Sequence, residues 1–308
     1  MSVRALVILL ILGVAPNAFA QQVPDRDFRP PIENPAFSEG TGPLVLIDGA
    51  HHNFHTVDGR YTTFANLLRR DGYVVEGSAV PFTEEALRDA KILVIANALN
   101  EANVQSWSNP VHPAFTDAEV AAVRAWVEAG GALFLIADHM PFPAAAQSLG
   151  AAFGMEFSNG YARNGSGQGG ITFSRADGSL LAHPIIEGRD PSERVNSVRT
   201  FGGQAMRAEP GVAVEPLMLF DEGSVSILTE TSGQFSDDLP RQPVAGWFQG
   251  VVLRHGGGRV AISGEAAMFS AQLSGPNQNP MGMNHPEAAE NPQFLLNVVH
   301  WLSGLLDG

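Results

Sequence analysis

Short apolar runs alternate with amphipathic segments through the first half of the chain. The runs Leu44–Ile47, Lys91–Asn97 ("KILVIAN") and Gly130–Phe142 ("GGALFLIADHMPF") contain continuous apolar stretches, as strands do when both faces of a parallel sheet are covered. Between them, Arg60–Arg70 has apolar residues at helical spacing, and Thr116–Glu119 has the spacing of a capping box. The resulting β-α-β-α-β-α-β order predicts an α/β fold with a mostly parallel sheet and helices on both faces.

The second half of the chain has a different character. Residues 158–200 are rich in Gly, Asn, Ser and Arg, and the region from about 155 to 245 is interpreted as an insertion over the sheet. Late strands are predicted at "VAVEPLMLF", "SVSILTE", "VAGWFQGVVL" and "RVAISG". Asn291 followed by Pro292 predicts the cap and first position of a last helix. We therefore expect a single domain at 43–308 after an extended lead-in at 21–42.

Residues 1–20 have the three parts of a secretory signal. Arg4 is the positive start, Leu6–Val14 is an apolar run, and Ala18–Ala20 is a small-x-small cleavage site. The alternative, a retained membrane anchor, is disfavoured because a helix needs roughly 20 apolar residues to cross a bilayer. The pattern predicts cleavage at about Ala20 and an exported protein, periplasmic or secreted, with no membrane anchor.

Charge and composition narrow the classes of partner. The chain has 18 basic and 32 acidic residues, a net charge of −14, which argues against nucleic acid as a partner. It has no cysteine, which excludes disulfides, thiolate metal sites and a thiol nucleophile. A small-molecule substrate is the expected partner.

Titratable groups follow three of the predicted strands. In an open parallel sheet, ligands bind beyond the carboxyl ends of the strands. The groups found there are Asp48 with His51, His52, Asn53 and His55 behind it, then Asp138 with His139, and finally Glu265. If the three strands are neighbours, these side chains share one pocket.

Each group has a chemical interpretation and a structural alternative. Asp138 and His139 predict a nucleophile or general base beside an imidazole that titrates near neutral pH, while Asp138 could instead cap the following helix. Glu265 predicts an acid/base partner, or alternatively an N-cap or surface carboxylate. His285 lies on a Gly/Pro/Asn loop that could close over the site, or could be an ordered surface loop.

The "HHNFH" segment offers a metal site or a polar binding loop. His51 and His55 have i, i+4 spacing, and with Asp48 they are candidate ligands for a divalent metal. Alternatively, His51, His52 and Asn53 hydrogen-bond substrate or backbone from a loop. The sequence leaves both interpretations open.

Four segments together resemble a known family. They are "LVLIDGAHHNF", "FTDAEVAAVRAWVEAGGALFLIADHMPF", "GGGRVAISGEAAMFSAQ" and "NPQFLLNVVHWLSG". The chain resembles the class I glutamine amidotransferase-like superfamily, and more closely its ThuA-like and GIFT-type branches, which lack the amidotransferase cysteine. The resemblance implies a flavodoxin-like sheet with a functional group just after the "GG" strand, at Asp138 or His139.

Two functions are compatible with these features. The first is an exported hydrolase or proton-transfer isomerase that acts on a small polar substrate, with a sugar derivative implied by the ThuA-like resemblance. The second is a non-catalytic binding or scaffolding module, as the GIFT-type resemblance implies. Titratable groups at the ends of three separate strands favour the enzyme.

Overall fold

The computed structural model describes residues 22–306. The signal segment and cleavage site predicted for residues 1–20 lie outside this range. Within it, no helix is long and apolar enough to cross a membrane.

The helices and strands follow the predicted alternation in the first half and are mostly strands in the second. The six α-helices described are α1 Thr62–Arg70, α2 Glu84–Leu87, α3 Asp117–Glu128, α4 Phe142–Ala151, α5 Pro184–Glu187 and α6 Asn291–Ser303. The first nine strands are β1 Gln22–Pro24, β2 Leu44–Asp48, β3 Val74–Ser78, β4 Ile92–Ala96, β5 Ala132–Ile136, β6 Met155–Phe157, β7 Tyr161–Arg163, β8 Thr172–Ser174 and β9 Ser197–Arg199. The remaining strands are β10 Met206–Ala208, β11 Glu215–Leu219, β12 Val225–Ile227, β13 Arg241–Pro243, β14 Phe248–His255, β15 Gly258–Ser263, β16 Ala271–Ser274 and β17 Asn279–Gly282.

A large mixed sheet forms the centre of the described chain. Its strand order is β3-β2-β4-β5-β15-β14-β10-β6, and β11 also pairs with β14. The pairs among β3, β2, β4, β5 and β15 are parallel, and β14 joins antiparallel to β15. The carboxyl ends of β2, β4, β5 and β15 therefore lie at the same edge of the sheet.

Helices cover both faces of this sheet, as predicted. In β5, Phe134 and Ile136 belong to the cluster that packs against α1 and α6, whereas Leu133 and Leu135 belong to the cluster formed with α3 and α4. Because successive side chains of a strand point to opposite faces, a strand covered on both sides must be apolar throughout. This explains the continuous apolar runs.

Some predicted boundaries are wrong by a few residues. The helix predicted to start at Arg60 starts at Thr62, so Arg60 belongs to the preceding turn. The N-cap of α6 is Glu290 rather than Asn291, because the Asn291 amide instead bonds the backbone of Arg199 and Met268.

The region predicted as an irregular insertion contains strands. β6, β10 and β11 extend the far edge of the large sheet, whereas β7, β12 and β13 form a sheet of their own. β8 pairs with β9 in a two-stranded sheet. β11 and β12 lie within the predicted runs "VAVEPLMLF" and "SVSILTE", whereas the Gly-rich composition gave no strand pattern for the other short strands, each of three residues.

Candidate active site

A cavity of about 690 Å³ lies beyond the carboxyl ends of the parallel strands. The residues that follow β2, β4, β5 and β15 line it with His55, Asn97, Asp138 and Glu265, respectively. The volume is typical of a small-molecule site. The sheet thus brings together three of the predicted groups and adds Asn97.

Asp138 is held in place by backbone donors on both sides. Its carboxylate accepts the N–H of His139 at 2.7 Å and the N–H of Ala266 at 3.3 Å. The N-cap position of α4 is Pro141 and has no side-chain cap, so Asp138 does not cap this helix. Its carboxylate is oriented by two chain segments and lines the cavity.

Glu265 is 1% exposed and lies beside Asp138, since the Ala266 peptide links the two groups. Its carboxylate accepts the N–H of Ala267 at 3.1 Å and that of Met268 at 2.6 Å. Burial, followed by the charge of Asp138, raises the pKa of Glu265 well above 4.5 despite these donors and the N–H of Phe201. Burial thus outweighs the backbone donors and favours the protonated form of Glu265.

A glycine permits this arrangement around Glu265. Gly203 has a φ of +100°, and a Cβ at this position would collide with the carbonyl oxygen of Gly264. Only glycine adopts this backbone conformation and leaves the space free. The segment that carries Phe201 can therefore approach the turn that carries Glu265.

His139 contributes an imidazole whose tautomer follows from its partner. Nδ1 lies 2.8 Å from the carbonyl oxygen of Met140, which can only accept, so Nδ1 carries the hydrogen. In the neutral ring, Nε2 is then the basic nitrogen. The ring stacks on Tyr161 with centroids 4.3 Å apart, which fixes its plane at the cavity wall.

Asn97 connects Asp138 to His55. The Asp138 N–H donates to Asn97 Oδ1 at 2.9 Å, so the Asn97 Nδ2 must face His55, whose Nδ1 accepts at 3.3 Å. His55 Nε2 therefore carries the hydrogen, and it is buried without a hydrogen-bond partner. Asn97 has a φ of +51°, a strained conformation that is common at functional sites.

Arg60 and three aromatic rings form another part of the wall. The Arg60 guanidinium lies 3.7 Å from the centroid of the Phe54 ring. Phe54, Trp107 and Phe142 contact one another with centroids 5.1 to 5.8 Å apart. Apolar ring faces next to carboxyl groups suit a ligand that has both a C–H face and polar groups.

His51 does not line the cavity and instead joins two carboxylates inside the fold. Its Nδ1 lies 2.9 Å from Asp48 Oδ2, and its Nε2 lies 2.8 Å from Glu119 Oε1. The ring packs against Phe82 and Phe115. Both nitrogens are occupied by protein partners.

The other predicted binding residues also lie outside the cavity lining. His52 is exposed, and Asn53 donates to Asp48 Oδ2 at 2.9 Å. His285 accepts the N–H of Glu287 at the start of a short 3-10 helix, and its ring contacts Phe201, which does line the cavity.

Of the three predicted metal ligands, His51 and Asp48 are in contact, but His55 does not join them. His51 is bonded to Asp48 and Glu119, whereas His55 faces Asn97. In the part of the chain from 22 to 306, no three His, Asp or Glu side chains are placed to hold a metal ion.

Sequence reasoning missed Asn97, Arg60 and Tyr161. Asn97 ends the "KILVIAN" strand, so the rule that selected Asp138 also applied to it. The helical period assigned Arg60 to α1. Tyr161 lies in the Gly-rich region, where no local pattern indicates its position beside His139.

The chain is similar to solved structures but not to a characterised sequence family. No protein-family model matches it, and no curated protein matches it. The mmIFT52 N-terminal domain matches with a TM-score of 0.55 and 13% identity, over 85% of this chain and 97% of that one.

Two further matches have lower TM-scores. Cytoplasmic Protein STM3548 from Salmonella typhimurium has a TM-score of 0.49 and 12% identity, over 84% of this chain and 98% of that one. A putative ThuA-like protein from Bacteroides uniformis has a TM-score of 0.48 and 14% identity, over 86% of this chain and 94% of that one. Likeness at such identities concerns the fold alone. The chain thus has an α/β fold shared with the mmIFT52 N-terminal domain, and the amidotransferase-like assignment remains a prediction.

Proposed function

We propose that the protein is an exported hydrolase or proton-transfer isomerase that acts on a small, polar, carbohydrate-derived substrate. The observation that carries the proposal is the pairing of Asp138 and Glu265 in one cavity. The raised pKa of Glu265 makes it a proton donor, while the neighbouring Asp138 carboxylate is the proton acceptor. General acid–base catalysis requires a proton donor and a proton acceptor within reach of one substrate.

The sheet topology supports a ligand at this position. Counted along the chain, the five parallel strands have the order 2-1-3-4-5, which we interpret as flavodoxin-like. The order reverses between β2 and β4, the strands that precede His55 and Asn97. Such a reversal opens a crevice for ligands. Asp138 also stands where the resemblance to the amidotransferase-like superfamily places a functional group.

For hydrolysis, the roles are as follows. Asp138 takes a proton from water while the water oxygen bonds to the electrophilic carbon. The bond from this carbon to the leaving oxygen breaks, and that oxygen takes the proton of Glu265. For isomerisation, Asp138 removes a proton from the hydroxyl-bearing carbon beside a carbonyl, and Glu265 protonates the carbonyl oxygen, which gives an enediol. Glu265 then takes the proton of the other hydroxyl while Asp138 gives its proton to the former carbonyl carbon, so the isomer forms and both carboxyl groups return to their starting states. His139 is a third proton carrier through Nε2.

A panel of glycosides, esters and keto-sugars tests the proposal. We expect Asp138→Asn and Glu265→Gln to lower kcat/KM by about 10²–10⁴-fold, the usual contribution of a general acid or base. Asp89→Asn, an exposed carboxyl change outside the cavity, is the matched control and should retain full activity. Equal turnover by wild type and Asp138→Asn would contradict the proposal.

A binding module is the second candidate function. The backbone N–H groups of Phe201, Ala267 and Met268 all donate to the Glu265 carboxyl. A carboxyl group with a purely structural role would have the same hydrogen bonds. In that case ligands would bind to the cavity without turnover. Calorimetric binding by wild type of a panel compound that it leaves chemically unchanged would favour this alternative.

A further inference from the structure

Arg60 brings a positive charge into the cavity without a protein counter-ion. Its Nη1 donates to the Phe54 carbonyl oxygen at 3.2 Å, and its Nε is buried without a partner. The ion pairs that arginines form in the described range do not include Arg60, and burial lowers its pKa. A partly desolvated guanidinium is unfavourable unless an anion lies beside it. No acidic side chain of the described residues therefore balances the charge of Arg60 at this part of the cavity wall.

His55 provides a hydrogen-bond donor next to this charge. The ring is 2% exposed, and burial followed by the charge of Arg60 lowers its pKa to about 3, so the ring is neutral. Because Asn97 donates to Nδ1, the single N–H is at Nε2, where it has no protein partner. A buried donor without an acceptor costs about 1–3 kcal/mol. An acceptor on a ligand would remove this cost.

Gln272 provides an unused acceptor on the cavity wall. Its Nε2 donates to Ser270 Oγ at 2.7 Å, whereas its Oε1 is buried without a partner. The side chain is 1% exposed and lines the same cavity. Such an oxygen suits a ligand hydroxyl. The Asp138 carboxylate can accept a second hydroxyl.

We infer that the cavity takes a small hydroxylated monocarboxylate, of the uronate or aldonate class, whose carboxylate lies between Arg60 and His55. One guanidinium and one neutral imidazole match a single negative charge. A phosphate dianion would leave an excess negative charge near Asp138. The hydroxyls face Gln272 and Asp138, and the C–H face lies against the aromatic wall of Phe54, Trp107 and Phe142.

This inference names the substrate class of the proposed enzyme and rests on the same cavity. It concerns binding, however, and its key residue is not one of the proposed proton carriers. Arg60 is a specificity residue for the anionic group, whereas Asp138 acts at the reacting atoms. Changes at these two positions therefore have different expected effects.

Isothermal titration calorimetry tests the inference with matched pairs of ligands. The pairs are D-galacturonate with D-galactose, D-glucuronate with D-glucose, and D-gluconate with sorbitol, and glucose 6-phosphate is a further ligand. We expect wild type to bind at least one acid about tenfold or more tightly than its neutral counterpart, as a charge-assisted hydrogen bond provides. Glucose 6-phosphate should bind more weakly than that acid.

Variants assign the preference to Arg60. Arg60→Gln should reduce the acid-to-neutral ratio to near one, and Arg60→Lys should restore part of it. Arg88→Gln, at an exposed position, is the control and should keep the full ratio. His55→Phe removes the second donor and should also lower the acid-to-neutral ratio. This variant tests the inference if Arg60→Gln does not fold.

The outcomes separate this inference from the proposed function. Any of three results would overturn the inference. Wild type could show no preference for any acid, a folded Arg60→Gln could keep the preference, or glucose 6-phosphate could bind more tightly than every carboxylate. Asp138→Asn should keep the acid preference while it loses turnover. An acid preference without any Asp138-dependent turnover would instead sustain the inference and contradict the proposed catalysis.

Discussion

Replacing His51 with phenylalanine should destabilise the fold by about 3–5 kcal/mol, the usual effect of removing one partner from a buried ion pair. The Phe ring keeps the contacts that His51 makes with Phe82 and Phe115. It loses the hydrogen bonds to Asp48, which is fully buried, and to Glu119. Two buried carboxylates then face each other without the imidazole between them.

The loss should depend on pH in a defined direction. Burial lowers the pKa of His51, but the hydrogen bonds and charges of Asp48 and Glu119 outweigh it and raise the pKa above 6.5. Its contribution is therefore complete below pH 6.5 and is lost as pH rises through the folded pKa. Hydrogen bonds from Thr116 and His51 outweigh burial at Glu119 and lower its pKa below 4.5, so that contribution is lost as pH falls.

Urea denaturation of the two proteins between pH 4 and 9 measures this effect. The difference in free energy of unfolding should be largest between pH 4.5 and 6.5 and should shrink on both sides. His112→Phe, at an exposed histidine, is the control and should change stability by less than about 0.5 kcal/mol. A loss below about 1 kcal/mol that is constant with pH would refute a structural role for His51.

Three more predictions concern polar side chains that bond neighbouring groups. Glu265→Gln removes a carboxyl whose pKa is raised by folding, so wild type should lose stability relative to the variant as pH rises above 4.5, by up to about 1.4 kcal/mol per pH unit. Chemical denaturation at several pH values measures this, and a free energy of unfolding that changes equally with pH in both proteins would contradict it. Asp71→Ala leaves buried His300 without its 2.7 Å hydrogen-bond partner and should cost about 1–3 kcal/mol in thermal unfolding, whereas an unchanged melting temperature would refute it. Thr116→Ala breaks the capping box of α3 and should lower the free energy of unfolding, measured by chemical denaturation, by about 1 kcal/mol. An unchanged free energy of unfolding would show that the capping box does not stabilise the fold.

Much of the fold follows from local sequence features. The apolar run Ala132–Ile136 is continuous because two clusters of helices cover it, and Thr116 caps α3 as its spacing predicts. The rule that ligands bind at the carboxyl ends of parallel strands predicts that Asp138 and Glu265 lie at one edge of the sheet, and they share the cavity because β5 and β15 are neighbours. These features depend on neighbouring residues or on a general rule of topology.

The remaining parts of the site depend on contacts that are distant in sequence. His51 has a structural partner, Glu119, that is 68 residues away, so its local spacing with His55 was misleading. Arg60 continues the helical period of α1, but the helix begins later and the guanidinium is free to stack on Phe54. No sequence window contains this information.

The protonation state of Glu265 tests the central claim most directly. Carboxyl ¹³C chemical shifts of Glu-labelled protein, assigned with Glu265→Gln, report this state as pH varies. The account predicts that Glu265 titrates well above 4.5 and that Asp138→Asn lowers its midpoint, because the charge of Asp138 is one cause of the raised pKa. A midpoint near 4.5 that Asp138→Asn leaves unchanged would contradict the paired acid and base on which the proposed function depends.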